Sequence, residues 1–438
     1  MRRAVFCLVC FLLMCSSAVA EITGDPFAES EAFDVIPVES DRKQLIQIGG
    51  YMESRNQLAV RDFSMPVSVL QRLSLGFSAS KEDVNLFAST YLEQELAAFT
   101  WKNSDYKVWD VRPREIYVEY DKPGLNLFIG KRFMRWGSAD GINPLDVVNP
   151  VDVVDPISTG RSNTRTPVFM SGLEVVQGDW SIEAVFLPVA AVQGIPLYGT
   201  PWEPEAIKAL REMERAGCSV DVQDGNEPDR WFQQVEYGVH ISTVLKGVDL
   251  EGVFFHGYEN SPVWQSVAGD RGTVVFPEYK EFSALGFIFA KGFEKNTLRG
   301  EFAYKPDYPC VLNDSCMPGR VDLFQAVLGW DYDIDGIYYC NLQVFGEGYG
   351  IGSRHEFYRH GVTYSVNGTW LADTLTVGVR GQIYTDGQGA QTELFADYVI
   401  TDNWNLYSGI MLWSGAPDSF LGQYGDNDFV YCTLRYSF

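Results

Sequence analysis

The residues best equipped for chemistry lie in one stretch, 131–166, KRFMRWGSADGINPLDVVNPVDVVDPISTGRSNTRT. Within it a six-residue unit recurs: Asn143-Pro-Leu-Asp-Val-Val, Asn149-Pro-Val-Asp-Val-Val, then Asp155-Pro. Pro144, Pro150 and Pro156 exclude a continuous helix, because each removes an amide donor and clashes with the preceding turn. Asn143 and Asn149 stand before proline, which favours extended or turn conformations. Six is even, so Asp146 and Asp152 share a face if the chain is extended. Two copies are too few for a hexapeptide β-helix. Three readings of Asp140, Asp146, Asp152 and Asp155 stand: a charged constriction facing wall groups such as Arg132, a Ca²⁺ site, or turns of an ordinary surface loop. A Ca²⁺ site needs about six to eight converging oxygens. Apart from Ca²⁺, no cofactor is expected.

Catalytic patterns are sparse. His355 and His360 flank Glu356 but stand five apart rather than four, so on a strand they point to opposite faces. No G-x-S-x-G elbow occurs. With four His in the chain, the remaining enzymatic option is His240 or His256 meeting a Ser or Asp across strands; the expectation is no enzyme. Cys310 and Cys316 bracket a loop-like segment and suit a small disulfide, with two free thiols as the alternative. No pair of C-x-x-C motifs is present for a structural zinc. A net charge of −24 excludes general nucleic-acid binding, which needs a basic face.

What must position these residues is a set of strands. Residues 1–20 read as a signal peptide with a charged start, an apolar run and Ala18-Val19-Ala20 before the cut; lipidation at Cys15 is the rival. Residues 21–42 read as an acidic periplasmic leader. Removing Arg2 and Arg3 with the signal peptide takes the charge from −24 to −26. From 43 to 438 apolar and polar residues alternate with period two. Leu125, Leu127 and Ile129 share a face, and Leu375, Val377 and Val379 oppose Thr376 and Arg380. Short links such as Asp121–Gly124 and Lys246–Val248 alternate with long ones such as 136–166 and 190–230, giving eighteen strands, nine long loops and eight short turns. One slipped hairpin changes the count by two, to sixteen. A closed antiparallel transmembrane barrel with short periplasmic turns and long outer loops follows, since backbone in hydrocarbon must pair internally. A soluble sandwich or propeller explains the alternation alone. The last strand alternates through Leu434 and Tyr436 to Phe438, and resembles the aromatic end that the barrel-assembly machinery reads in Gram-negative outer-membrane barrels.

Gly130-Lys-Arg, then Trp136-Gly137, then Gly141-Ile-Asn-Pro-Leu-Asp-Val resembles a segment in a family of porin-like outer-membrane proteins of largely uncharacterised function. The match covers some 20 residues strongly, and the second copy at 149–154 goes beyond the pattern. The resemblance implies an outer-membrane barrel with this loop folded inward.

Strand parity places Arg72, Glu93, Glu115, Glu119, Arg132, Glu174, Glu183, Glu236, His240, Arg299, Glu301, Arg359, Arg380, Glu393 and Asp397 toward the lumen, an acid-leaning set. A helix from Glu203 to Ala216 is expected within 190–230, capping the mouth, binding a ligand, or packing on neighbouring loops. Trp202, Trp231, Trp264, Trp330, Trp370, Trp404 and Trp413 fit aromatic belts at the lipid interfaces, with sugar stacking as the lesser reading. The expected partners are outer-membrane lipid, lipopolysaccharide, the assembly machinery and small hydrophilic solutes; the oligomeric state is open. The expected function is a passive channel narrowed by loop 136–166. The alternative is a non-conducting surface barrel binding polysaccharide or another partner through its long loops.

Overall fold

The computed structural model describes residues 45–101, 107–152, 165–192, 199–223, 227–269, 272–312 and 318–438. The signal peptide, all of the acidic leader, Asp155 and Cys316 lie outside these residues. The strands are β1 Leu45–Ala59, β2 Pro66–Lys81, β3 Val84–Glu95, β4 Trp109–Lys122, β5 Leu125–Arg132, β6 Val168–Gln177, β7 Trp180–Leu187, β8 Val220–Val222, β9 Glu236–Leu245 and β10 Val248–Tyr258. They continue as β11 Val263–Gly269, β12 Gly272–Glu278, β13 Glu281–Gly292, β14 Asn296–Val311, β15 Pro318–Ile334, β16 Tyr338–Tyr349, β17 Phe357–Trp370, β18 Leu375–Tyr384, β19 Gly389–Thr401, β20 Trp404–Ser414 and β21 Phe429–Ser437. Among the described residues one α-helix, α1, spans Glu205–Arg215.

Eighteen strands form one antiparallel sheet that closes on itself, because β1 pairs both with β2 and with β21. Closure leaves no open edge. The terminal residue takes part: Phe438 and Gly50 exchange both backbone hydrogen bonds, at 2.9 and 3.0 Å. Tight hairpins use residues suited to left-handed backbone; Lys246 and Gly247 both have positive φ, as the two-residue turn between β9 and β10 requires. The remaining three strands, β8, β11 and β12, make a small separate sheet, and Ile207 and Leu210 of α1 pack with its Val220, Trp264 and Val275. The connection between β10 and β13 thus carries a hairpin, and the expected helix starts two residues later and ends one earlier.

Period-two alternation sorts the two faces of the wall. Ile48, Leu86, Val118, Ile129, Val175, Leu285 and Val344 stand exposed on the outside. Glu53, Arg72, Glu93, Glu236, Glu301, Gln343 and Thr363 are buried on the inside. An outer surface of aliphatic and aromatic side chains disfavours water and suits hydrocarbon.

Candidate functional site: a loop anchored across a charged lumen

The segment 133–167 links β5 to β6, and its residues 133–152 pack against the inner face of the barrel. Trp136 is fully buried and donates its indole N–H to Glu183 of β7 at 2.7 Å. Its ring rests on Gly238 of β9, where a Cβ would lie 2.5 Å from it. Leu145, also fully buried, rests on Gly286 of β13, where a Cβ would meet it at 2.2 Å. These two wall glycines are seats, since only a residue without a side chain permits so close an approach. Gly137 has a φ of +88° and is hemmed in by Asn143 and Glu301, which explains the Trp-Gly pair.

The turn is pinned at its tip. The Glu301 carboxylate of β14 accepts from the backbone amides of Ser138 and Ala139. Arg299, two residues away on the same strand, donates to the Ser138 carbonyl at 2.7 Å, pairs with Asp140, and pairs with Asp331 of β15 at 2.7 Å. Asn341 of β16 donates to Asp140 at 3.3 Å. Burial pushes the Asp140 carboxyl up to about 6, with Arg299 opposing the rise.

The two Asn-Pro units do different work. Asn143 caps its own turn, its side-chain oxygen accepting from the amides of Leu145 and Asp146 at 3.3 and 3.1 Å. Asn149 joins the two roots of the loop: it accepts from Met134 N–H at 2.6 Å and donates to the carbonyls of Arg132 and Thr166 at 3.3 and 2.9 Å. Asp146 pairs with Arg165 of the same loop at 2.9 Å, and Asp152 with Arg112 of β4 at 3.2 Å. Asp140, Asp146 and Asp152 therefore face three different arginines rather than one another. Among the described residues no group of three or more His, Cys, Asp or Glu is gathered as for a metal.

Asp152 ends a ladder of alternating charge along one wall. Arg435 of β21 pairs with Glu53 of β1 at 2.7 Å, and Arg72 of β2 reaches Glu53 at 3.6 Å and Glu93 of β3 at 2.6 Å. Arg112 bonds Glu93 at 2.9 Å. Farther along this wall Arg380 pairs with Glu393 at 2.6 Å, and Arg359 lies over the rings of Tyr349 and Phe420. Arg132 does not meet the loop carboxylates as expected. It pairs with Glu119 at 3.4 Å and stacks on Tyr117 and Phe128, the partners its own and the adjacent strand present.

The opposite wall satisfies its carboxylates differently. Glu236 of β9 accepts from the amides of Tyr258 and Ala191 at 2.9 and 3.2 Å, and Glu174 of β6 accepts from Ser181 at 2.7 Å. His240 bonds Glu251 of β10 at 2.8 Å. Glu347 of β16 takes bonds from Gln325 and Tyr349. His256 Nδ1 lies 2.9 Å from Ser283 Oγ on the outward face. Cys310 is buried near the end of β14, and its proposed partner Cys316 lies outside the described residues.

No protein-family model and no curated protein sequence matches the chain. Solved structures do. The outer membrane protein OpdK of Pseudomonas aeruginosa aligns over 90% of this chain and 99% of its own, with a TM-score of 0.52 at 8% identity. A second OpdK structure, with vanillate, covers 90% and 98% with a TM-score of 0.52 at 11% identity. The outer membrane channel DcaP of Acinetobacter baumannii covers 91% and 99% with a TM-score of 0.44 at 8% identity. At such identities the likeness is one of fold.

Parity reasoning named many of the wall residues that carry charge, but missed Arg112, Arg114, Glu251, Lys305, Asp331, Glu347 and the ladder's Glu53 and Arg435. Glu53 and Arg435 were readable from alternation. Arg112 and Arg114 were not, because a bulge between Ala88 and Thr90 resets the register opposite Pro113.

Proposed function

We propose that the chain is an outer-membrane channel for passive passage of small hydrophilic solutes, narrowed by the segment 133–167. One observation carries the reading: the loop leaves β5, is pinned to β14 and β16 by Glu301, Arg299 and Asn341, and returns to β6. An eighteen-stranded barrel encloses a channel too wide to discriminate among small solutes, so an internal strap supplies the filter. The apolar outer face and the fold shared with OpdK support residence in the outer membrane of a Gram-negative cell. Passage needs no chemical step, which agrees with the lack of an assembled catalytic set in the sequence.

The test is conductance of the purified, folded chain in planar bilayers, alone and with 137–150 replaced by a short Gly-Ser linker. The intact channel should pass stepwise current, and the shortened loop should raise it severalfold. A folded barrel that carries no current in either form would overturn the proposal.

A second reading is favoured by one cluster. Trp202 of the 188–235 segment packs on Trp413, Tyr424 and Phe429, with ring centroids 5.5 to 6.3 Å apart, and shares a buried cluster with Phe420, Leu421 and Ile142. Three long loops therefore meet in the mouth. On this reading they plug it, and the barrel binds a surface polysaccharide or another partner instead. Glycan binding without current is its signature.

A further inference from the structure

The charge on the lumen wall is unevenly compensated. On β21, β1 through β5, β18 and β19, the carboxylates Glu53, Glu93, Glu119 and Glu393 each contact an arginine guanidinium, while Glu95 and Glu115 are held by hydroxyl and amide donors. Among the described residues, six others, on β6, β7, β9, β10, β14 and β16, contact no arginine. Glu174, Glu236, Glu301 and Glu347 take hydrogen bonds from hydroxyl, amide or side-chain carboxamide donors, and Glu183 and Glu251 from Trp136 and His240. Among the described cations facing this arc, Arg299 is shared between Asp140 and Asp331, Lys305 lies over the rings of Phe282 and Tyr308, and Arg135 of the inward loop donates to the Ala139 carbonyl at 3.3 Å. Glu301 adds a second, independent observation. It is fully buried, both amides bond to its Oε1, and its Oε2 has no hydrogen-bond partner.

Hydrogen bonds from neutral donors satisfy a carboxylate without cancelling its charge. A narrow passage with low-dielectric walls focuses the field of such groups along its axis and enriches counter-ions. We infer that this channel prefers cations, and that the wall formed by β6 to β16, through its more accessible Glu174, Glu183 and Glu251, sets that preference. The permeants it favours are small cationic and zwitterionic solutes over carboxylates and phosphates of the same size. The inference rests on the channel reading and names its substrate class.

The experiment is the reversal potential of the full chain in planar bilayers under a KCl gradient, with liposome uptake of lysine and glutamate as a second measurement. Expected is a K⁺ over Cl⁻ permeability ratio of roughly threefold or more, from a focused acidic field, and faster entry of lysine than of glutamate. Replacing the three more accessible groups together, Glu174→Gln, Glu183→Gln and Glu251→Gln, should bring the ratio toward unity while the barrel keeps its heat-modifiable gel mobility. Current with a ratio at or below unity in the native protein would overturn the inference and leave the channel reading intact. So would a folded triple variant with an unchanged ratio. Absence of any current would remove the channel reading, and this inference with it. The native measurement needs no variant, so a triple variant that failed to fold would not shield the claim.

Discussion

The two walls of the lumen face the same problem, carboxylates held away from bulk water, and solve it differently. Along β21 and β1 to β4, arginine and glutamate alternate from strand to strand, so Arg435, Glu53, Arg72, Glu93 and Arg112, closed by Asp152 of the loop, neutralise one another. Along β6 to β16, donors other than arginine serve Glu174, Glu183, Glu236, Glu251, Glu301 and Glu347, and several of those donors belong to the inward loop itself: Trp136, Ser138 and Ala139. The first arrangement makes a stiff wall with little net field. The second leaves charge in the lumen and ties it to the position of the loop. A buried charge is tolerated either when paired or when well hydrogen-bonded, and the choice decides whether the charge remains available to a passing solute.

The sharpest way to break this comparison is to remove one rung. Arg72→Met leaves Glu53 and Glu93 buried beside a missing partner, a loss of about 3–5 kcal/mol for breaking a buried pair. Glu183→Gln on the other wall keeps a hydrogen-bonding group in place and should cost about 1 kcal/mol or less. The temperature at which the folded, fast-migrating gel band converts to the unfolded one reads both. Equal shifts would show that the two walls do not differ as described.

Next in size is Glu301→Ala. It strands the amides of Ser138 and Ala139, at about 1–3 kcal/mol for unsatisfied buried donors, and frees the loop tip from its wall. Open-channel noise should rise, and added protease should cut within 137–150 faster than in the native barrel. A quiet, protease-resistant variant would mean that the tip is held elsewhere. Gly286→Ala should act in the same direction but more weakly, since its Cβ forces Leu145 to shift at about 1 kcal/mol or somewhat more.

The smallest effect is a pH dependence through Asp140. Its carboxyl lies at about 6 in the folded protein, above the ordinary unfolded value near 3.9. Between these values the folded state holds a proton that the unfolded state has released. Stability from this group is therefore greatest at low pH, falls as pH rises from about 4 to about 6, and is level above that. Asp140→Asn, which mimics the protonated form, should match the native barrel near pH 4 and melt slightly higher near pH 7. A variant that loses ground as pH rises would show that the Arg299 pair outweighs burial.

Much of the candidate site was legible. Arg72, Arg299, Glu301 and Arg380 were assigned to the inner face because alternation is a local property, read two residues at a time. The loop was marked by Trp136-Gly137 and the two Asn-Pro units, whose proline spacing excludes a helix. What escaped was pairing. Asp146 and Asp152 look alike in the repeat, yet one meets Arg165 of its own loop and the other Arg112 of β4. Asn143 and Asn149 also look alike, yet one shapes a turn and the other joins the loop's two roots.

The amino-acid order by itself determined the barrel. A strand with one apolar and one polar face, repeated with alternating short and long links, has few ways to satisfy its backbone except by closing on itself. Only the tertiary structure decided which charges cancel. Arg435 and Glu53 are 382 positions apart, and Arg299 and Asp140 are 159 apart. Contacts at such separations depend on sheet register and on where the inward loop lands, and no local pattern encodes either.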